Sequence, residues 1–213
     1  MTKKISLVAG LFGVVLAISS CTELKSSSSC NLLANGLVGW QQVGGQPGGW
    51  GLEDGILYTK GGHGGWLATN REYRDFILEL EFKVPPAGNS GVFLRTPLEG
   101  DPAYVGMEIQ ILDDDTDKYG KLRPEQFTGS IYDVQAPSER VTKKANEWQK
   151  IVIMCKGQKV QITLNGKKII DTNLEYYPHK YGKHPGLKRT SGYIGLQDHG
   201  SRIDFRNIRI KEL

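Results

Sequence analysis

Cysteine and histidine are scarce, with three and four among 213 residues. No His-Glu-x-x-His motif and no closely paired cysteines occur, so the familiar protease and structural zinc spacings are absent. An excess of one charge is also missing. Lys and Arg number 27 against 23 Asp and Glu, a net +4, with no basic run interleaved with aromatics, which argues against a nucleic-acid partner. Nor does any long window after Trp40 hold a 3.6-residue apolar period, which disfavours a helical domain. The length suits one well-buried domain.

The longest apolar run stands at the start. Lys3 and Lys4 precede Ile5 to Ile18, then Ser19, Ser20 and Cys21. This run is too short for a comfortable membrane span and reads as an export signal over residues 1–20. Ile18-Ser19-Ser20-Cys21 resembles the bacterial lipobox, which implies lipidation of Cys21 and a membrane-anchored lipoprotein, periplasmic or at the cell surface. Residues 21–34, with four consecutive serines, are expected to form a flexible tether, and residues 35–213 the domain. Cys30 and Cys155 remain in the mature chain, and sequence does not fix whether they pair. Cys155, inside the β-branched run Ile151 to Lys156, reads as a small buried hydrophobe.

Short period-2 segments punctuated by glycine turns occupy the rest, which predicts an all-β fold of roughly ten strands, two antiparallel sheets packed as a sandwich or jelly roll. Asp54-Gly55 and Asn165-Gly166 are type I′ hairpin signals. Phe76 to Lys83 alternates cleanly between apolar and polar faces. Segments Gly91 to Pro97, Gly106 to Asp114, Gly129 to Val134, Trp148 to Cys155, Lys159 to Asn165, Ser191 to Gly200 and Ser201 to Ile210 complete the expected strands. Two irregular stretches, Asp113 to Gln126 and Asn173 to Thr190, are long enough to wall a cleft or hold short helical turns. The second gathers Tyr176, Tyr177, His179, Tyr181 and His184, read as loop packing in preference to a sugar site. The acidic run Asp113 to Asp117 lacks the Gly and closing Glu of an EF-hand and reads as a solvated turn.

Alternation sends Glu108 and Gln110 to one face of their strand, groups Gln197 with His199, and groups Phe93 with Arg95. Polar groups from three strands of an otherwise apolar sheet suggest a shared hollow, because each would cost a few kcal/mol to desolvate without partners. Glu108 and His199 are the proton-transfer candidates, with the roles of acid and base open. Arg95 is the expected electrophile, Gln110, Gln197 and Asn89 the hydroxyl-orienting groups, and Trp66 and Tyr132 the aromatic platform for a sugar. If a divalent metal were bound, Glu108 and His199 would be its ligands.

"GNSGVFLR", "MEIQILD", "EWQKIVIMCKGQKVQITLNGKKI" and "GYIGLQDHG…DFRNIRIKEL", from about Asn35 to Leu213, resemble the 3-keto-disaccharide hydrolase domain family. The resemblance implies a concanavalin-like lectin and glucanase fold and cleavage of disaccharides or glycosides oxidised at carbon 3. A ketone there acidifies the carbon 2 proton and makes elimination of the carbon 1 substituent the easier route, so no second carboxylate nucleophile is required. Two other readings fit the residues. One is a conventional two-carboxylate glycosidase pairing Glu108 with Asp113, Glu79 or Glu81; the other is a non-catalytic carbohydrate-binding module.

Overall fold

The computed structural model describes residues 28–213. The export signal, Cys21 and the first part of the tether lie outside the described residues. Thirteen strands follow in chain order. They are β1 (Cys30–Asn31), β2 (Trp40–Val43), β3 (Trp50–Glu53), β4 (Ile56–Thr59), β5 (Trp66–Thr69), β6 (Phe76–Lys83) and β7 (Asn89–Thr96), then β8 (Met107–Leu112), β9 (Trp148–Lys156), β10 (Lys159–Leu164), β11 (Lys167–Asn173), β12 (Tyr193–Gln197) and β13 (Asp204–Glu212). One short helix, α1 (Pro102–Val105), precedes β8.

Two antiparallel sheets face each other. The larger runs β11-β10-β9-β6-β13-β4-β3 with β1 on β13, and the smaller runs β2-β5-β12-β7-β8. The period of two decides which side chains fill the space between them. On β6, Phe76, Leu78, Leu80 and Phe82 are buried, while Ile77, Glu79, Glu81 and Lys83 face outward. Met107, Ile109 and Ile111 of β8 meet that core from the smaller sheet. Each such side chain contributes about 1.5–3 kcal/mol on burial. The jelly-roll sandwich expected from alternation is therefore present. Both hairpins are present too: Asp54 and Gly55 (φ 50° and 75°) join β3 to β4, and Asn165 and Gly166 (φ 50° and 85°) join β10 to β11.

Three expectations need correction. The ordered sandwich begins before Asn35, because β1 pairs with Ile210 and Arg209 of β13 and Leu32 donates its N–H to the Ile208 carbonyl. The tether does not extend to residue 34. The segment from Gly129 to Val134 is not a regular strand. It covers the free edge of β8 through bonds from Tyr132 N to Glu108 O (2.9 Å) and Gln110 N to Ser130 O (3.1 Å), then turns at Asp133, whose φ is 62°. The Asp113 to Asp117 run is not wholly solvated. The buried Asp114 carboxylate accepts from Thr128 N (3.0 Å) and Thr142 Oγ1 (3.2 Å), and burial pushes its pKa up against those bonds and the Arg140 charge. Cys155 is free and buried, so it does not pair with Cys30, and burial pushes its thiol up to about 12. No helix among the described residues is long and apolar enough to cross a membrane.

Candidate active site

The outer face of the smaller sheet carries a second, smaller apolar cluster of Trp66, Ala68, Phe93 and Ala103. Beside it opens a polar cleft of about 160 Å³. Alternation along β8 turns Glu108 and Gln110 into this cleft, opposite the core residues Ile109 and Ile111. From β7 comes Asn89, from the end of β12 Gln197, from the turn beyond it His199, and from the segment edging β8 Tyr132. Six of the eight residues that sequence placed at the site are thus brought together.

Two glycines make the arrangement sterically possible. A Cβ on Gly91 would lie 2.1 Å from Glu108 Oε1, so only glycine leaves the carboxyl its place. A Cβ on Gly195 would lie 2.2 Å from the Trp66 ring.

Arg95 is not at the site. β7 carries one more residue between Phe93 and Thr96 than β12 does between its matching positions, Gly195 and Tyr193, and Arg95 takes up the irregularity with φ 52°. The bulge breaks the alternation and turns the side chain away. Its guanidinium, 1% exposed, donates to Arg74 O (2.7 and 3.0 Å), Gly157 O (2.6 Å) and Arg189 O (3.3 Å), and pairs with Asp75 (3.3 Å). Arg95 is a structural anchor. Trp66 is likewise no open platform: it is 5% exposed and meets Phe93 edge-on at 5.7 Å, packed away beside the cleft.

Sequence reasoning missed Asp101, Ala103 and Tyr104, which complete the cleft. Asp101 caps α1 by accepting from Ala103 N (3.1 Å), and Pro102 occupies the first helical position. The Asp-Pro pair in "GDPAYVG" was a legible helix start, although its position beside β8 was not.

Electrostatics single out Glu108. It is 4% exposed, and burial, reinforced by the Asp101 charge, pushes its carboxyl up to about 8. At neutral pH it holds its proton. The Oδ1 of Asn89 and the Oε1 of Gln197 are buried without a hydrogen-bond partner, and such groups are stabilised by a polar ligand. The partners assigned to Glu108 in the conventional glycosidase reading lie elsewhere. Glu79 pairs with Lys150 (2.9 Å) and Glu81 with Arg206 (2.7 Å) on the outer face of the larger sheet, and Asp113 accepts from Ala87 N (2.9 Å). Among the described residues, no group of three or more His, Cys, Asp or Glu is gathered to hold a metal ion. None of the aromatic or histidine residues of the 173–190 loop lines the cleft; Tyr177 and Tyr181 pack against the core, as loop packing requires.

Two antiparallel sheets with a polar cleft on the outer face of the smaller one define a concanavalin-like jelly roll. A carbohydrate-binding module of Bacillus subtilis shares this fold, with a TM-score of 0.56 at 14% identity over 82% of this chain and 96% of its own. The chain belongs to the family described as the 3-keto-alpha-glucoside-1,2-lyase-like domain, whose model matches residues 31–211. It is similar to a 3-keto-disaccharide hydrolase of Bacteroides thetaiotaomicron, 30% identical over 82% of this chain and 74% of that protein. A crystal structure of a candidate glycosyl hydrolase from Parabacteroides distasonis matches with a TM-score of 0.78 and 31% identity, covering 87% of this chain and all of that one. Family and relatives give the chain a glycosyl-hydrolase-like function.

Proposed function

We propose that the protein cleaves 3-keto-disaccharides or related 3-keto-glycosides by elimination followed by hydration. The observation that carries this reading is a single proton-bearing carboxyl, Glu108, at the floor of a cleft otherwise lined by neutral amides, His199, Tyr104, Tyr132 and Asp101. That set suits acid-base work on an already activated sugar: Glu79, Glu81 and Asp113 lie elsewhere, and the second carboxyl of the cleft, Asp101, is engaged in capping α1 through Ala103 N (3.1 Å).

The acid role follows from the proton on Glu108. His199, exposed at the rim, takes the proton from carbon 2, and the C–H electron pair moves into the enolate of the carbon 3 ketone. Amide N–H groups of Asn89, Gln110 and Gln197 stabilise the enolate oxygen, the part earlier assigned to Arg95. As the enolate collapses, a double bond forms between carbons 1 and 2, the bond from carbon 1 to the glycosidic oxygen breaks, and Glu108 gives its proton to that oxygen. The Glu108 carboxylate then takes a proton from water adding to carbon 1, while the exposed His199, whose acquired proton exchanges with solvent, delivers a proton to carbon 2. The net change is hydrolysis. A metal, if bound, would be held by the ionised Glu108 carboxylate and the neutral His199 ring and would supply Lewis acidity at the ketone in place of their proton-transfer roles.

The test is to offer the purified chain a 3-keto glucoside and its unoxidised parent in D₂O. Cleavage of the keto compound alone, with deuterium entering at carbon 2, is expected. Cleavage of the parent would replace this reading by a conventional glycosidase, and binding without turnover by a carbohydrate-binding module. Glu108→Gln should lose on the order of 10²–10⁴ in kcat on an alkyl-alcohol leaving group, yet far less on a nitrophenol that departs without a proton. Uniform loss on both would remove Glu108 from the acid role.

Export and anchoring belong to the same proposal: a lipidated Cys21 would hold the enzyme at a membrane surface facing glycosides outside the cytoplasm. Cys21→Ala should abolish labelling by radioactive palmitate and shift the protein from the membrane to the soluble fraction. Unchanged labelling would end that assignment.

A further inference from the structure

One buried carboxylate outside the reaction gathers the groups that build a wall of the cleft. Asp133 is 4% exposed and directly follows Tyr132, which lines the cleft. Its carboxylate pairs with Arg123 and Lys183, its carbonyl accepts from Lys180 Nζ (2.8 Å), and its N–H donates to Glu125 O (2.9 Å). His184 Nε2 lies 3.9 Å from the same carboxylate. Burial, then the ammonium charges of Lys183 and Lys180, push His184 down to about 4, so this contact is made by a neutral ring.

Beyond Asp133, the same groups reach α1. His184 makes a backbone hydrogen bond with Ala103 and packs on Tyr104, ring centroids 4.9 Å apart. Lys183 Nζ sits 5.4 Å from the Tyr104 ring centroid. Two residues further on, a Cβ on Gly186 would fall 2.0 Å from Gly106 O, so the loop presses directly on the end of α1. Ala103 and Tyr104 line the cleft from one side and Tyr132 from another.

We propose that Asp133 is a positioning residue for the reaction: by drawing Arg123 and Lys183 onto one carboxylate, with the neutral His184 ring packed beside it, it locks three chain segments together and fixes Tyr104 and Tyr132 in the orientation that holds the sugar. Asp133 touches none of the reacting atoms and acts through these two rings. A charge suits this task better than an apolar plug, because the segments it joins meet at the surface through long cationic side chains. Arg123 and Lys183 remain more than half exposed while their charged ends converge on one buried acceptor.

This inference rests on the proposed function, and its test separates the two. Asn tolerates the left-handed backbone that Asp133 adopts, so Asp133→Asn removes the charge and leaves the turn intact. For the variant, KM for a 3-keto disaccharide should rise about tenfold with kcat within about threefold, since positioning of bound sugar is lost while Glu108 and His199 are untouched. Lys183→Met should shift KM in the same direction, and the double variant should be no worse than Asp133→Asn alone. Calorimetry with the same disaccharide reads the inference independently of turnover. If the wild type binds without cleaving, the functional reading fails, while a weakened Kd in Asp133→Asn still upholds the positioning role. Wild-type KM and Kd in Asp133→Asn, with or without a lowered melting temperature, would overturn it. A wild type that binds no 3-keto disaccharide overturns both.

Discussion

At the scale of single residues, the site depends on what a glycine leaves open. Glu108 occupies space that any β-carbon at position 91 would fill. The Gly91 backbone is not in the left-handed region, so alanine fits the main chain and its cost falls on the neighbouring carboxyl. Gly91→Ala should therefore lower kcat by about 10²-fold, as expected for a catalytic group displaced by an ångström or so, with a small change in melting temperature. Steady-state kinetics beside thermal melting would check this, and unchanged kcat would mean that Glu108 can act from elsewhere. Glu108 itself was legible as a site residue, because alternation along β8 needs no tertiary information. Its protonation was not, since desolvation and the proximity of Asp101 depend on parts of the chain that β8 does not specify.

At the scale of elements, β7 shows where strand arithmetic fails. Asn89, Gly91 and Phe93 keep to the cleft side, and a regular strand would have added Arg95. One extra residue against β12 redirects it into a knot of backbone carbonyls, and no local signal in "GVFLRTP" distinguishes a strand from a bulged strand. Gly192 belongs to this geometry: a Cβ there would lie 2.3 Å from the Arg95 carbonyl carbon. Arg95→Met should destabilise the fold by about 3 kcal/mol, because it strands the carbonyls of Arg74, Gly157 and Arg189 and unpairs Asp75. Urea denaturation measures the loss. The folded fraction should keep kcat within about threefold, which a direct role for Arg95 at the ketone would not allow.

For the whole molecule, the raised pKa of Glu108 couples the site to stability. The folded chain retains this proton up to about pH 8, whereas an unfolded chain releases it near 4.5. Between those values the native state binds more protons than the unfolded state, so stability falls as pH rises. The contribution is fully present below about 4.5 and gone above about 8. Urea midpoints measured across this window should decline in the wild type more than in Glu108→Gln, which has no proton to lose. Parallel profiles would show that Glu108 is better solvated than its burial implies. The kcat/KM profile should share the upper limb, because the acid that serves the departing oxygen disappears near pH 8.

The sequence by itself determined the sandwich, its two I′ hairpins and the side of β8 on which Glu108 and Gln110 stand, because a period of two and a φ > 0 requirement are local properties of the chain. It also carried the Asp-Pro start of α1 without saying where that helix would lie. Only the tertiary structure decided that Arg95 turns inward, that Trp66 is packed against Phe93 beside the cleft, and that Asp101 and Tyr104 join Glu108 across it. Those outcomes depend on inter-strand register and on which segments press together, and both arise from packing between residues distant along the chain.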